Sequence, residues 1–227
     1  MAYTYSDFKT YLKFILGQRS DVESVGGNLY GVWVNQAYKQ LTTSYRFWDL
    51  QKNFYFPELE TSSSVDTVDG TAYISTPTDC FQPQFLYDTT SNRRLIWINN
   101  DKYLAFTDRA NTDAEGAPTQ WTQRGGYLYL HPTPDAVYSI TVYYRKIPAA
   151  LSTDTSSTAI STVWDDAIVS LSAYIAYTHL RDHENAAHFK RLFLEGVAGM
   201  IGFTNEPQKD GKEFVHQSPL YRNYEFK

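Results

Sequence analysis

Between Trp121 and Tyr144, aromatic and β-branched residues recur in short runs, and the apolar residues of 138–144 alternate with polar ones at a period of two, a pattern typical of half-buried β-strands. Gly125-Gly126 interrupts this pattern with residues that tolerate positive φ, which predicts a tight turn. Pro132-Thr133-Pro134 interrupts it again, because proline supplies no N–H group to a sheet ladder. Residues 116–148 therefore predict a meander of three consecutive strands.

Apolar residues at helical spacing predict two helices before these strands. The first helix is predicted to begin at a cap formed by Ser6-Asp7 and to end at Gly17. The second is predicted to run from about Leu29 to Tyr45. The predicted apolar faces of the two helices consist of Phe8, Tyr11, Leu12, Ile15, Leu16, Val32, Trp33, Ala37, Tyr38 and Leu41.

Two further helices are predicted after the strands. Thr162 and Asp165 have the three-residue spacing of a capping box, which predicts the start of a helix. A break is predicted at Arg181-Asp182, where Asp182 caps the next helix. The apolar positions of that last helix are Ala186, Phe189, Phe193, Val197 and Met200.

The chain between these helices mixes polar loops with short strands. Residues 61–64 and 66–70 are rich in serine, threonine and aspartate, so both are predicted to be loops. Short strands are predicted within residues 71–98, and a short helix within residues 99–109. Residues 151–160 are almost wholly Ser, Thr, Asp and Ala, which predicts a solvated linker.

This order of elements predicts an α+β fold. Helices from the N- and C-terminal parts form a helical bundle, an antiparallel β-domain is inserted between them, and an extended C-terminal tail follows. The predicted boundaries are residues 1–47 for the first helices, 48–150 for the β-rich insert, 151–203 for the last helices and 204–227 for the tail.

The tail is too polar to form a core of its own, yet apolar residues recur along it. We therefore expect it to dock on a partner through Phe214, Val215, Leu220, Tyr221, Tyr224 and Phe226.

Composition and hydropathy add four constraints. Cys80 is the only cysteine, which excludes an intramolecular disulfide and a cysteine-based zinc site and predicts a buried thiol. The net charge of −5 disfavours a protein that binds nucleic acid by neutralising phosphates. Nineteen tyrosines and 13 phenylalanines exceed what one core of this size needs, which favours self-assembly or partner binding. No apolar run approaches membrane-spanning length, so a cytosolic protein without a membrane partner is predicted.

Candidate catalytic and metal-binding residues have simpler structural explanations. His179 and His183 are four residues apart, but the predicted helix break between them spoils a shared metal-binding face. The acidic pairs Asp165-Asp166 and Glu58/Glu60 resemble the carboxylates of a glycosidase, but a helix start and a loop explain them better. We therefore predict no catalytic residue, no cofactor and no metal.

Two binding hypotheses remain as alternatives. Trp97, Trp121 and Tyr129 are suited to a stacking platform in a carbohydrate-binding module or another aromatic-rich β interaction module. Arg93-Arg94 and Arg145-Lys146 lie among tyrosines as in a nucleic-acid surface, although charged strand edges are the commoner explanation.

Four motifs occur in an order that carries a family resemblance. They are TAYISTPTD at residues 71–79, GAPTQW at 116–121, GYLYLHPTPD at 126–135 and VYYRKIPAAL at 142–151. In this order the chain resembles the head-to-tail adaptor (connector) proteins of tailed bacteriophages.

The resemblance implies a structural, non-enzymatic virion protein made in the host cytoplasm and located in the neck between head and tail. Such a protein forms a ring, usually of 12 copies, beneath the portal, and receives a stopper or tail component at its other end. Double-stranded DNA passes through the channel without sequence-specific binding. The tail residues would then dock on the portal or a neighbouring subunit, and Trp121, Tyr127, Tyr129 and Tyr144 would serve as β-domain core and subunit contacts.

Overall fold

The structure, a computed structural model, describes residues 2–19, 22, 28–43, 54, 56–107 and 115–200 of the 227-residue chain. Within these residues the fold is α+β, as predicted, with five α-helices and two four-stranded sheets. The tail of residues 204–227 lies outside the described residues, so its docking role stays a prediction.

The helices are α1 (Tyr5–Ile15), α2 (Leu29–Thr43), α3 (Asn100–Thr107), α4 (Asp165–His179) and α5 (His183–Met200). The strands are β1 (Glu60–Asp66), β2 (Tyr73–Ser75), β3 (Cys80–Asp88), β4 (Arg93–Arg94), β5 (Ile96–Trp97), β6 (Gln120–Arg124), β7 (Tyr127–His131) and β8 (Ser139–Lys146). Single 3-10 turns occupy Pro57–Leu59 and Thr162–Trp164.

The described elements form two compact units. Among the described residues, the helical unit contains the chain up to Glu60 and from Ile147 to Met200, and the β unit contains Thr61–Lys146. Within the described part of the chain, no helix is both long and apolar enough to cross a membrane.

Helix α1 begins two residues earlier than the sequence predicted. Thr4 is its cap: the Thr4 hydroxyl accepts the Asp7 N–H at 3.3 Å, and the Asp7 carboxylate accepts the Thr4 N–H at 2.9 Å. This reciprocal arrangement satisfies two backbone donors, which explains why Thr4 rather than Ser6 is the cap. Gly17, with φ of 71°, follows the end of the helix as predicted.

The core of the helical unit joins helices from both parts of the chain. Side chains of α1, α2, α4 and α5 belong to one buried cluster, whose largest members include Phe8, Leu12, Tyr38, Leu41 and Phe193. Val32 was predicted to face this core, but it is 55% exposed. The buried stripe of α2 passes through Tyr30, Trp33, Ala37 and Leu41, and Val32 lies off that stripe.

The prediction of a solvated linker at residues 151–160 was wrong. The N–H groups of Tyr5 and Ser6, in the first turn of α1, donate to the carbonyls of Ser156 at 2.7 Å and Asp154 at 3.2 Å. Because the first amides of a helix have no partner inside the helix, this polar segment supplies the acceptors they need. Leu151 and Ile160, at its two ends, are buried in the helical core.

The predicted capping box at Thr162 and Asp165 was also wrong. Thr162 lies in the 3-10 turn before α4, and no side chain caps the start of that helix. The Asp165 carboxylate instead accepts the backbone N–H of Tyr3 at 3.0 Å. The cap predicted for α5 is confirmed, because Asp182 accepts the backbone N–H of Asn185 at 3.2 Å.

The predicted three-strand meander is only partly correct. Strands β6 and β7 pair antiparallel around Gly125-Gly126, in a sheet of order β2-β7-β6-β5. Strand β8 instead lies in the second sheet, of order β1-β8-β3-β4, where it pairs antiparallel with β3. The proline segment ends β7 as predicted, but the next strand along the chain, β8, belongs to the other sheet. Inward residues of both sheets, among them Leu128 and Val142, share one buried cluster.

Residues 61–64 were predicted to be a loop, but they lie in strand β1. Strand β1 is the neighbour of β8, and the hydroxyls of Ser64 and Thr141 hydrogen-bond at 3.1 Å. Alternate residues of β1 are exposed and half-buried, as in a strand at a sheet edge. Serine and threonine gave this strand the composition of a loop, although its backbone is paired.

Candidate functional site

Of the four aromatic residues predicted as β-domain contacts, two are core residues of the β unit. Trp121 is 3% exposed and Tyr144 is 4% exposed. The Tyr144 hydroxyl donates to the Asp79 carboxylate at 2.7 Å. Burial is the larger cause and this hydrogen bond the second; together they raise the pKa of Tyr144 to about 12. Of these four aromatic residues, Tyr127 and Tyr129 are therefore the two that offer surface to another molecule.

Tyr127 and Tyr129 belong to a tyrosine face on the sheet β2-β7-β6-β5. We use this name for the cluster of Tyr73, Tyr127, Tyr129 and Tyr103. Tyr73 packs edge-on against Tyr127, with ring centroids 4.9 Å apart, and lies 5.6 Å from Tyr129. Tyr73 and Tyr127 are 44% and 42% exposed, so they form the open end of the face.

Helix α3 covers the other end of the tyrosine face. Tyr103 of α3 packs edge-on against Tyr129 at 5.6 Å, and Phe106 stacks on His131 at 4.7 Å. Burial of the His131 imidazole lowers its pKa, which favours the neutral ring. Helix α3 thereby fixes Tyr129 and leaves Tyr73 and Tyr127 accessible.

The second sheet of the β unit carries an arginine–aromatic stack. Phe85 of β3 and Tyr143 of β8 stack with ring centroids 4.4 Å apart, and the Arg94 guanidinium lies 4.5 Å from the Phe85 centroid. Arg93 has a different role, because it donates to the Ala117 carbonyl at 2.7 Å and lies 3.9 Å from buried Asp88. The two neighbouring arginines thus have different partners: Arg94 packs on an aromatic ring, and Arg93 lies beside a buried carboxylate.

The helical unit exposes aromatic surface on α1. Phe14 is 77% exposed, and Tyr11, one turn earlier on the same face, is also exposed. The ring of Tyr3 stacks on Tyr11 at 5.0 Å. This group of three rings is larger than the isolated apolar residues that cover an ordinary surface.

The acidic residues considered as glycosidase carboxylates either accept hydrogen bonds from Tyr3 or are exposed to solvent. Asp165 is buried and binds the Tyr3 N–H, and desolvation raises its pKa. The Tyr3 hydroxyl donates to Asp166 at 3.3 Å. Glu58 and Glu60 are exposed. The carboxylates of Asp165 and Asp166 therefore hold the chain segment before α1 against the start of α4.

The histidines considered for metal binding do not form a site. The Trp33 indole N–H donates to Nδ1 of His179 at 2.7 Å, which occupies that ring nitrogen. Among residues the structure describes, no group of three His, Cys, Asp or Glu side chains is arranged to hold a metal ion. Cys80 is half-buried, rather than fully buried as predicted, and burial raises the pKa of its thiol to about 11.

The carbohydrate platform predicted as an alternative is not assembled. Trp121 is buried beneath the sheet surface, although its neighbour in the parallel β5–β6 pair, Trp97, is partly exposed. Tyr129 is partly covered by Tyr103. Sequence analysis missed the exposed Tyr73 and Phe14 as surface candidates. Its prediction of Tyr11 on the apolar face of the first helix was wrong, because Tyr11 is 47% exposed. The only sequence signal for these residues was the large number of aromatic side chains, which exceeds what one core needs. The spacing of apolar residues does not show which face of an element is exposed.

Comparison with known proteins identifies the family. A family model described as SU10 adaptor protein matches residues 3–218, which is nearly the whole chain. No curated protein matches the chain. The match covers both units, and the head-to-tail adaptor resemblance of the four sequence motifs agrees with it. The chain therefore belongs to the SU10 adaptor protein family, a family of structural head-to-tail adaptors of bacteriophages.

Proposed function

We propose that this protein forms a ring of 12 copies that docks beneath the portal and extends the DNA channel. The distal end of the ring receives a stopper or tail component. Membership of the adaptor family supports a connector role in the virion neck, and the ring is the closed assembly that such a role requires.

The observation that carries the proposal is aromatic surface on both units. The tyrosine face lies on the β unit, and the rings of Tyr3, Tyr11 and Phe14 lie on the helical unit. A ring needs two different complementary patches on each copy, since its contacts are heterologous. Aromatic side chains are enriched at protein interfaces because they bury large areas with few rotatable bonds.

Charge fits a channel that DNA crosses without being held. The net charge is −5, so the chain as a whole opposes tight binding to phosphates. On the β unit, Arg93 is engaged with Ala117 and Asp88. We therefore propose passage of double-stranded DNA without sequence-specific readout.

The tail supplies the contact with the portal or with a neighbouring subunit. Its apolar residues occur singly or in pairs between polar residues, as in segments that fold on binding; they are Phe214, Val215, Leu220, Tyr221, Tyr224 and Phe226. Docking of an extended segment adds contact area without requiring a core of its own.

Co-sedimentation with the purified portal tests this proposal. Deletion of residues 207–227 is expected to abolish or strongly weaken binding, because it removes all six apolar tail residues. A matched control keeps the tail length and changes Lys209, Asp210, Lys212 and Glu213 to serine, and it should bind like the unchanged chain. Undiminished binding after the deletion would contradict docking of the tail on the portal.

A further inference from the structure

Strand β1 differs from the other edge strands of the β unit. The sheet orders place β1, β4, β2 and β5 at the edges. Strands β4 and β5 have two residues each and β2 has three, whereas β1 has seven. Short edges limit pairing with another chain, and a long edge invites it. In the described structure β1 is therefore the edge best able to accept an added strand.

The composition of β1 does not protect its edge. Its sequence is ETSSSVD, with charges only at the first and last residues and no lysine, proline or glycine. Lysine, proline and bulges are the features by which sheet edges usually avoid unwanted pairing. Val65 is half-buried and packs at the margin of the β-unit core. An added strand would gain backbone hydrogen bonds along β1 and could cover this apolar margin.

A segment of matching length lies near the C-terminus. Residues 220–226 follow Pro219 and contain no proline or glycine. In an extended conformation, Leu220, Arg222, Tyr224 and Phe226 lie on one side, and Tyr221, Asn223 and Glu225 lie on the other. Seven strand residues span about 23 Å, which equals the length of β1. Three of the four residues on the first side are apolar, against one of the three on the second, so the first side is the one suited to cover the apolar margin of the β unit.

We propose that residues 220–226 of one copy add as a strand to the β1 edge of a neighbouring copy. The inference rests on the proposed ring and names the surface that receives the tail. Nineteen residues separate Met200 from Leu220, and an extended chain of this length reaches at most about 65 Å. Each copy would donate one element and accept another, as a heterologous ring contact requires.

Disulfide crosslinking of the full-length protein tests this pairing. In a Cys80→Ser background, Ser64→Cys on the exposed face of β1 is combined in turn with Tyr221→Cys, Asn223→Cys or Glu225→Cys. At least one pair is expected to give a ladder of multiples of the 26.1 kDa chain on non-reducing gels. The matched control combines Ser75→Cys, on the short edge strand β2, with Asn223→Cys and should give no ladder.

Microscopy of the same samples separates the failure of this inference from the failure of the proposed function. Rings without a ladder, or a ladder equal to that of the Ser75 control, would overturn the strand addition and leave the ring intact. Crosslinks confined to single chains would show that the tail pairs with its own copy, which also overturns the inference. Absence of rings with and without portal would contradict both proposals.

Proline substitution in the tail gives an independent measurement. Successive N–H groups of a strand point to opposite sides, so either Asn223→Pro or Tyr224→Pro must remove a donor to β1. At least one of these variants should dissociate into monomers at a higher protein concentration than Gln208→Pro, which lies outside the pairing segment. Equal dissociation of all three variants would contradict the proposal.

Discussion

The side chain of Asn35 binds both backbone polar groups of Leu151, 116 residues later in the chain. The Leu151 N–H donates to Oδ1 of Asn35 at 2.7 Å, and Nδ2 of Asn35 donates to the Leu151 carbonyl at 3.0 Å. Leu151 is buried in the helical core, where water cannot easily replace these bonds. One amide side chain on α2 thus fixes the point at which the chain re-enters the helical unit.

Asn35→Ala is expected to lower the free energy of unfolding by about 2–4 kcal/mol. The substitution removes two hydrogen bonds and leaves two backbone groups of a buried residue without their partners. Urea denaturation followed by circular dichroism measures the change. Gln36→Ala, at an exposed position on the same helix, is the matched control and should change stability by less than about 0.5 kcal/mol. Equal effects of the two substitutions would contradict this account of the Asn35 contact.

Asp165 predicts a pH dependence with a defined sign. Burial raises the pKa of its carboxyl above the ordinary value of 3.8, although the Tyr3 N–H opposes the shift. The folded state therefore binds the Asp165 proton more tightly than the unfolded state, and this residue lowers stability as pH rises above about 3.8. Asp165→Asn keeps an acceptor and does not titrate. Its stability relative to the unchanged chain should increase between about pH 3 and about pH 7.

Asp182→Asn provides a control of opposite sign. Hydrogen bonds from the Asn185 side chain and backbone lower the pKa of Asp182. The stabilisation by its charge is present above the ordinary pKa of 3.8 and is lost as pH falls through the lowered pKa. This variant should therefore lose stability relative to the unchanged chain as pH rises. If the relative stability of both variants changed with pH in the same direction, the assignment of a buried role to Asp165 and an exposed role to Asp182 would be wrong.

Trp121 and Trp97 allow core packing to be distinguished from a ligand-binding role. Trp121→Ala should cost about 3–5 kcal/mol, because it empties a large buried volume in the β unit. Trp97→Ala, at the partly exposed neighbouring position, should cost about 1 kcal/mol. Thermal unfolding of both variants measures the difference. A stable Trp121→Ala protein that had lost affinity for glycans would instead support a carbohydrate-binding function.

Local sequence signals were sufficient wherever the relevant contacts are local. The aromatic-rich runs of β6 and β7, the turn at Gly125-Gly126 and the cap at Asp182 all depend on residues within a few positions of one another. Strand β8 shows the limit of this reasoning. Its alternation correctly predicted a strand, but its pairing with β3 depends on residues more than 50 positions away. Periodicity contains no information about which sheet a strand joins.

Polar segments were misjudged for a related reason. Residues 61–64 and 151–160 have the composition of loops, yet one forms strand β1 and the other supplies carbonyl acceptors to the first turn of α1. In both cases backbone groups make the contacts that hold the segment in place. Composition reports side-chain preferences, so these roles had no sequence signal. The same limit applies to the candidate surface, because a tyrosine pattern does not distinguish buried Tyr144 from exposed Tyr127.

The open end of the tyrosine face is expected to contribute to assembly without contributing much to folding. The double substitution Tyr73→Ser and Tyr127→Ser removes two rings that are each more than 40% exposed. We expect the midpoint of ring formation to move to at least about tenfold higher protein concentration, as for loss of a moderate interface contact. Val137→Ser, at another exposed apolar position of the β unit, is the control.

Light scattering coupled to size-exclusion chromatography measures the assembly midpoint, and urea denaturation confirms that the variants remain folded. If the double variant and Val137→Ser assemble like the unchanged chain, the tyrosine face is not a contact between copies. The rings of Tyr3, Tyr11 and Phe14 on the helical unit would then be the next surface to substitute.

Electron microscopy of the purified protein, alone and mixed with its portal, tests the central claim most directly. The account predicts closed rings, with 12 copies counted by native mass spectrometry, seated coaxially on the portal and enclosing an open channel. Only monomers in both samples, at concentrations where the portal itself is intact, would contradict the proposal that this SU10 adaptor family member forms a connector ring.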